Sequence, residues 1–183
     1  MANVLVPLAQ GCEELEAVTI VDLLRRAGVA VITAGLDDQP VLASRGVRLL
    51  PDTTLDEALR QDYDMVVLPG GAGGSDHLDR DPRIQELIIK MVDRSRYVAA
   101  ICAAPKVLAN AGLLRGKRAT SYPGILDKMG LQDVDLSQDA VVKDGNVITS
   151  RGPGTAIDFA LSLIEVLASK GKRDEVERAL VRS

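Results

Sequence analysis

The sequence predicts an α/β fold, a mostly parallel sheet with helices packed on both faces. Three observations predict it. Short apolar runs alternate with longer segments of helical spacing. Aromatics are scarce, with one Phe, three Tyr and no Trp, so the core must be built from Val, Leu, Ile and Ala, as in strands covered on both sides. No repeat, low-complexity stretch or linker interrupts the chain, and residues 1–183 read as one domain.

Asn3 to Leu8 reads as a short buried strand. From Glu13 to Ala27, residues Ala17, Ile20, Val21, Leu24 and Ala27 fall on one helical face, with carboxylates in the first turn and Gly28 as the stop. Val29 to Ala34 is a second strand. Pro40 to Leu50 is an excursion with a hairpin turning near Ser44 to Gly46. Thr53 or Thr54 caps a short helix ending near Leu59. Met65 to Leu68 is a third buried strand, stopped by Pro69-Gly70-Gly71. A helix follows from about Pro82 to Val92, then a strand from Tyr97 to Ile101 and a helix from Ala103 to Ala111. Asp144-Gly145 marks a hairpin between Ala140–Lys143 and Asn146–Thr149. Pro153 begins a long helix to about Ala168, and a more polar helix covers Arg173 to Val181.

Composition excludes several function classes. Net charge is −4, with no basic stripe or aromatic platform for nucleic acid. Met1 to Leu8 lacks the basic start and long apolar run of a secretion signal, and no stretch approaches membrane-spanning length, so a cytoplasmic protein is expected. Two cysteines are too few for a disulfide framework, and a single histidine argues against a His/Cys zinc site. No cofactor fingerprint is present.

Three segments can carry chemistry. In Val98-Ala99-Ala100-Ile101-Cys102-Ala103-Ala104-Pro105, a buried strand runs into Cys102 and a helix follows at once. Small residues two positions either side allow a sharp bend, the spacing of a nucleophile elbow with Ala for Gly. A helix N-terminus there favours the thiolate and offers amides to an oxyanion or an oxidised sulfur. The alternative is a small buried core cysteine. Gly70-Gly71-Ala72-Gly73-Gly74-Ser75 reads as a loop at the carboxyl edge of the sheet, either an oxyanion nest beside Cys102 or a flexible turn. It lacks the Lys-Ser/Thr of a phosphate loop and the spacing of a dinucleotide fingerprint. Glu13, Glu14 and Glu16 lie at the end of the first strand. One can enter the site with a raised pKa, or all three can simply suit the helix dipole; the residues alone do not choose among them.

Gly11-x-Glu13-Glu14-x-Glu16, Leu68-Pro69-Gly70-Gly71, Ala99-Ala100-Ile101-Cys102-Ala103 and Ser150-Arg151-Gly152-Pro153-Gly154-Thr155 occur in this order in one family. On these four motifs the chain resembles the ThiJ/PfpI superfamily over nearly its whole length. The resemblance implies a flavodoxin-like, class I glutamine amidotransferase-like three-layer sandwich that forms a homodimer. It implies Cys102 as nucleophile and oxidation-sensitive residue, and Glu16 as the protonated glutamate that hydrogen-bonds it. Gly71 and Ala103 match the positions whose amides flank the sulfur. Pro153 falls in a motif that lines the site. Arg26 and Arg45 match a basic pair near the dimer interface that can hold an anion, with solvated surface charge as the alternative.

Two departures stand out. Eukaryotic members carry histidine where Tyr122 stands before Pro123, so a Cys-Glu-His triad is not expected; the one histidine, His77, follows the glycine segment. Cys12 stands where the family commonly has alanine, either as a resolving thiol for Cys102 or as an inert buried one. The resemblance implies a deglycase or glyoxalase-type hydrolase acting on methylglyoxal or glyoxal adducts of proteins or nucleotides, with no cofactor. The other reading is a redox sensor or redox-regulated chaperone working through a Cys102 sulfinate. A peptidase is disfavoured, because that branch places histidine directly after the cysteine, where this chain has Ala103.

Overall fold

The computed structural model describes residues 1–182. Its strands are β1 (Asn3–Leu8), β2 (Ala30–Gly35), β3 (Val41–Leu42), β4 (Arg48–Leu49), β5 (Thr53–Thr54), β6 (Met65–Leu68), β7 (Tyr97–Ile101), β8 (Arg118–Ala119), β9 (Asp135–Leu136), β10 (Val141–Asp144) and β11 (Val147–Ser150). Its helices are α1 (Glu14–Arg26), α2 (Leu55–Ala58), α3 (Ala72–Arg80), α4 (Pro82–Asp93), α5 (Pro105–Asn110), α6 (Ala156–Leu167) and α7 (Lys170–Ala179). Seven strands form one sheet in the order β10-β11-β7-β6-β1-β2-β5. All pairs in it are parallel except β10 with β11, which the Asp144-Gly145 turn joins as a hairpin. Among the described residues no helix is long and apolar enough to cross a membrane.

Strand side chains alternate between two cores. Val4, Val6 and Leu8 of β1 point to a layer made with α1 and α6, where Ile20, Leu24, Phe159 and Ile164 are buried. Leu5 points the other way, toward Leu78, Ile84, Ile88 and Leu108 from α3, α4 and α5. Apolar residues on both faces of the central strands explain their continuous hydrophobic runs. The chain leaves β1 toward β2 on one side and later crosses to β6 on the other, so the strand order reverses between β1 and β6. Ligand crevices of open parallel sheets form at such a point, outside the strands' carboxyl ends.

Several elements differ from the sequence expectation. The glycine segment is not a free loop: helix α3 begins at Ala72, with Gly73 and Gly74 in its first turn. Glycine lowers helix propensity, so the sequence pattern points away from helix. Packing overrides it. A Cβ on Gly74 would lie 2.6 Å from the Cys12 Cα, and one on Gly71 would lie 2.4 Å from the Gly11 carbonyl oxygen. The helix after Cys102 starts later than expected, at Pro105, behind a turn. Pro153 opens a 3-10 turn, and α6 proper starts at Ala156. The last helix begins at Lys170, capped by Ser169. Thr54, not Thr53, caps α2 by accepting from the Glu57 amide. The hairpin of β3 and β4 turns at Gly46, which has φ 91°.

Gly74→Ala should destabilise the chain by about 1–3 kcal/mol or more, because its methyl meets backbone rather than a movable side chain. Gly154→Ala, which meets nothing within 4 Å, should change stability by less than ~1 kcal/mol. Denaturant unfolding of the two variants checks the contrast.

Candidate active site

The carboxyl ends of β1, β6, β7 and β11 place four segments along one rim: Gly11–Glu16, Pro69–Gly71, Cys102 and Arg151–Gly152. Cys102 has φ 65°, in the left-handed region. A non-glycine residue held there costs about 1–3 kcal/mol, sustained by its surroundings. Its amide donates to the Ser150 carbonyl at 3.0 Å, and its carbonyl accepts from the Tyr122 amide at 2.8 Å. These two bonds clamp the bend, which turns the side chain out of the strand toward β6 and α1. Cys102 as a whole is 8% exposed.

Glu16 is fully buried in the first turn of α1. Its Oε2 accepts from the Gly70 amide at 2.8 Å, and its carboxyl faces the Cys102 thiol. Its Oε1 is buried without any further partner. The backbone amides of Gly71 and Ala103 lie close enough to the sulfur to favour its charged form. Of the three glutamates, Glu14 serves the scaffold. Its carboxylate accepts from the Ser44 hydroxyl at 3.0 Å and the Arg45 amide at 2.8 Å, tying the β3–β4 hairpin to α1. Burial opposes its charge, but these donors outweigh burial and hold its pKa below the usual range. Glu13 precedes α1, and its amide donates to the Gly70 carbonyl at 3.0 Å.

The electrostatics correct one expectation. A helix-dipole-lowered thiol is not what this geometry produces. Burial, and then the neighbouring Glu16 carboxylate, push the Cys102 thiol up to about 12; the Gly71 and Ala103 amides pull the other way without winning. Helix α5 is six residues long and starts three residues beyond the sulfur, so its dipole contributes little. Burial also raises Glu16, from 4.5 to about 7. Thiol and carboxyl therefore share protons as a pair. With the proton on Glu16, the charge that opposes the thiolate is gone.

The remaining predicted residues are placed as follows. Tyr122 is 49% exposed, with its ring edge over Gly152; its backbone amide, not its phenol, touches Cys102. Pro153 follows Gly152 on the same rim. Cys12 is buried beneath Gly74, and burial followed by the Glu14, Glu13 and Glu16 charges raises its thiol to about 12, as burial raises that of Cys102. The ring Nδ1 of His77 bonds the Gln10 carbonyl at 3.0 Å on the exposed side of α3. Arg26 pairs with Asp22 at 2.7 Å in the last turn of α1, whereas Arg45 sits beside the first turn. A helix of 13 residues separates them by roughly 18 Å at ~1.5 Å per residue, so one chain does not bring the pair together. Among the described residues no cluster of His, Cys, Asp or Glu could hold a metal.

Gly70 is the residue the sequence reading missed. A Cβ on it would lie 2.5 Å from the Cys102 Cβ and 2.6 Å from Glu16 Oε2. Only glycine lets thiol and acid meet there. The signal was the paired glycine directly after Leu68-Pro69, of which only the second was assigned a role. Behind the site, Lys106 of α5 pairs with Asp76 of α3, joining the two helices that follow the amide-bearing turns.

The raised Glu16 pKa means that the folded chain binds this proton more tightly than the unfolded chain does. Its stabilising contribution is complete below pH 4.5 and is lost as pH rises through about 7. At most about 3–4 kcal/mol is involved, at ~1.4 kcal/mol per pKa unit. Glu16→Gln cannot ionise and should lack this fall. Denaturant titrations of both proteins at pH 4.5 and about pH 8 check it; parallel slopes would mean that Glu16 ionises as freely as in solvent.

Comparison with known proteins agrees with this fold. The model of the DJ-1/PfpI family matches residues 2–166. Protein dj-1beta of Drosophila melanogaster is 45% identical over 180 residues, covering 98% of this chain and 96% of that protein. Its crystal structure superposes with a TM-score of 0.95 at 44% identity, over 100% of this chain and 98% of the other. The glutathione-independent glyoxalase DJR-1.2 of Caenorhabditis elegans is 36% identical over 179 residues, covering 98% of this chain and 95% of that protein. A structure of Toxoplasma gondii DJ-1, described as oxidized, has a TM-score of 0.94 at 35% identity over the whole of both chains. Motif order, sheet topology and full-length similarity converge, and the chain belongs to the DJ-1/PfpI family.

Proposed function

We propose that the protein is a cysteine-dependent enzyme of carbonyl stress, converting methylglyoxal, glyoxal or their adducts on amines and thiols to hydroxy acids. One observation carries the reading: a buried acid with a raised pKa and two backbone amides converge on the Cys102 sulfur. The resemblance to a named glyoxalase supports the substrate class.

The steps balance without a cofactor. The Cys102 thiolate adds to the aldehyde carbon, and the developing oxyanion is held by the Gly71 and Ala103 amides. Glu16 gives this oxygen its proton. As carboxylate it then takes the hydrogen from the former aldehyde carbon and returns it to the neighbouring carbon, while the proton of the first hydroxyl moves to the neighbouring oxygen, so that the first carbon becomes a carbonyl and the second carries the hydroxyl. The product at this stage is a thioester on Cys102. Water cleaves it, releasing the hydroxy acid and restoring the thiol. In an adduct, the amine or thiol leaves first, taking the proton of the carbinol hydroxyl, and the aldehyde so regenerated is what the thiolate attacks. Glu16 suits both roles because its pKa lies near neutrality, where acid and base forms coexist. No imidazole is required, which fits Tyr122 in place of histidine.

The same three groups fit a sulfinate on Cys102, with Glu16 donating to one oxygen and the amides to the other. That convergence favours regulation by oxidation as a second reading. A homodimer is also proposed. Leu15 and Val18, one turn apart on α1, are exposed apolar residues, as are Val47 and Leu50 on either side of β4, and Val18 and Leu50 line one surface groove. Two copies of α1 packed antiparallel about a two-fold axis would bring Arg26 of one chain toward Arg45 of the other, creating the basic pair that a single chain lacks.

Steady-state turnover of methylglyoxal and of its adducts tests the enzyme reading. Cys102→Ser should abolish turnover, and Glu16→Gln should lower kcat by about 10²–10⁴ with a smaller change in KM. Selective Cys102 sulfinate formation by peroxide in a wild-type protein without turnover would select the sensor instead. Val18→Asp should shift the sedimentation mass toward that of a single chain; an unchanged mass would refute this interface.

A further inference from the structure

A second cavity lies behind Tyr122, apart from the sulfur. It encloses about 140 Å³ and is lined by Thr120, Ser121, Asp127, Ser137, Gln138 and Arg151, with a few apolar neighbours. It has room for several waters or for one compact organic molecule. Two opposite charges line it without meeting. Arg151 donates through Nη1 to the Gln138 carbonyl at 3.2 Å, and Asp127 accepts from the Gly124 amide at 2.7 Å. Among the described residues neither has an ion-pair partner within 4.0 Å, although eighteen such contacts occur elsewhere in the chain. Ser137 Oγ accepts from Arg118 at 3.2 Å and from the Asp139 amide at 3.0 Å, which leaves its proton free to donate. Thr120 is 1% exposed, and its hydroxyl has no hydrogen-bond partner. Buried polar atoms are seldom left unpaired.

We propose that this cavity binds a small zwitterion, an α-amino acid with a compact side chain. The carboxylate would accept from the Arg151 guanidinium and the Ser137 hydroxyl, charge-assisted contacts that planar guanidinium favours. The ammonium would donate to the Asp127 carboxylate. A simple anion matches only half of the site, since Asp127 opposes it. A simple amine matches only the other half, since Arg151 opposes it. The site shares its walls with the loop that clamps the nucleophile, because Ser121 and Pro123 flank Tyr122, and Arg151 adjoins Gly152. Occupancy would therefore stiffen the backbone that holds Cys102 in its left-handed bend.

The test uses the full chain carrying Cys102→Ser, so that no turnover is needed and its failure leaves the carbonyl reading untouched. Calorimetric and NMR titrations compare L-alanine and L-serine with L-lactate, ethanolamine and inorganic phosphate. The expected result is saturable binding of the two amino acids, about tenfold weaker binding of L-lactate, and none of ethanolamine. Arg151→Gln should weaken amino-acid binding at least about tenfold, and so should Asp127→Asn, while Asp127→Asn leaves L-lactate unchanged or tighter. Ser137→Ala, a milder change at the surface, should weaken both acids. Absence of saturable amino-acid binding to the unaltered cavity overturns the proposal whatever the variants do. So does binding of L-lactate or phosphate as tight as that of L-alanine, which would make the cavity an anion site.

Discussion

The left-handed turn at Cys102 is the constraint on which the rest of the site depends. A strand that continued normally would bury its next side chain in one of the two cores. A positive φ at the end of β7 instead swings the thiol across the sheet edge toward α1. The strain is sustained by neighbours that are themselves fixed. Ser150 belongs to β11, which pairs with β7 in register, and Tyr122 enters from the segment after β8. The strained residue is thus anchored from both directions, a common arrangement where backbone cost is exchanged for reactive geometry.

Around that bend the chain arranges absences as carefully as groups. Gly70, Gly71 and Gly74 have no side chains because acid, thiol and the β1–α1 loop pass within contact distance of each. Glycine in α3 weakens that helix in isolation, and the buried Leu78 together with the Lys106–Asp76 pair holds it in place. The two helices bearing the amide turns are thereby fixed relative to each other. In the proposed reaction a cysteine whose thiol is raised by burial remains a useful nucleophile because its acid partner is raised too. The reactive proton distribution belongs to the pair rather than to either residue.

The three neighbouring glutamates separate into different tasks through helix geometry alone. Glu14 and Glu16, two residues apart, leave α1 in different directions, one toward the hairpin donors and one into the dry space by the sulfur. Identical side chains therefore end with pKa values moved oppositely, down for Glu14 and up for Glu16. Donor count decides the sign. Glu14 meets several donors that outweigh its burial, whereas Glu16 meets one amide and a thiol and stays dominated by desolvation.

The sequence by itself determined the α/β class, most strand positions, the elbow at Cys102 and, through ordered motifs, the family. These follow from local periodicity and from residue identity at short spacing, which a linear reading can see. Helix α3 was invisible because glycine speaks against helix locally, and only the approach of Cys12 makes glycine necessary. Gly70's role, Glu14's task and the raised thiol were likewise decided by tertiary structure. Each depends on how many donors, charges and water molecules surround an atom, and those are set by segments far apart in the chain. The polar cavity behind Tyr122 is of the same kind, since Thr120, Asp127, Ser137 and Arg151 share no local pattern and line one space only because the segments after β8, β9 and β11 come together.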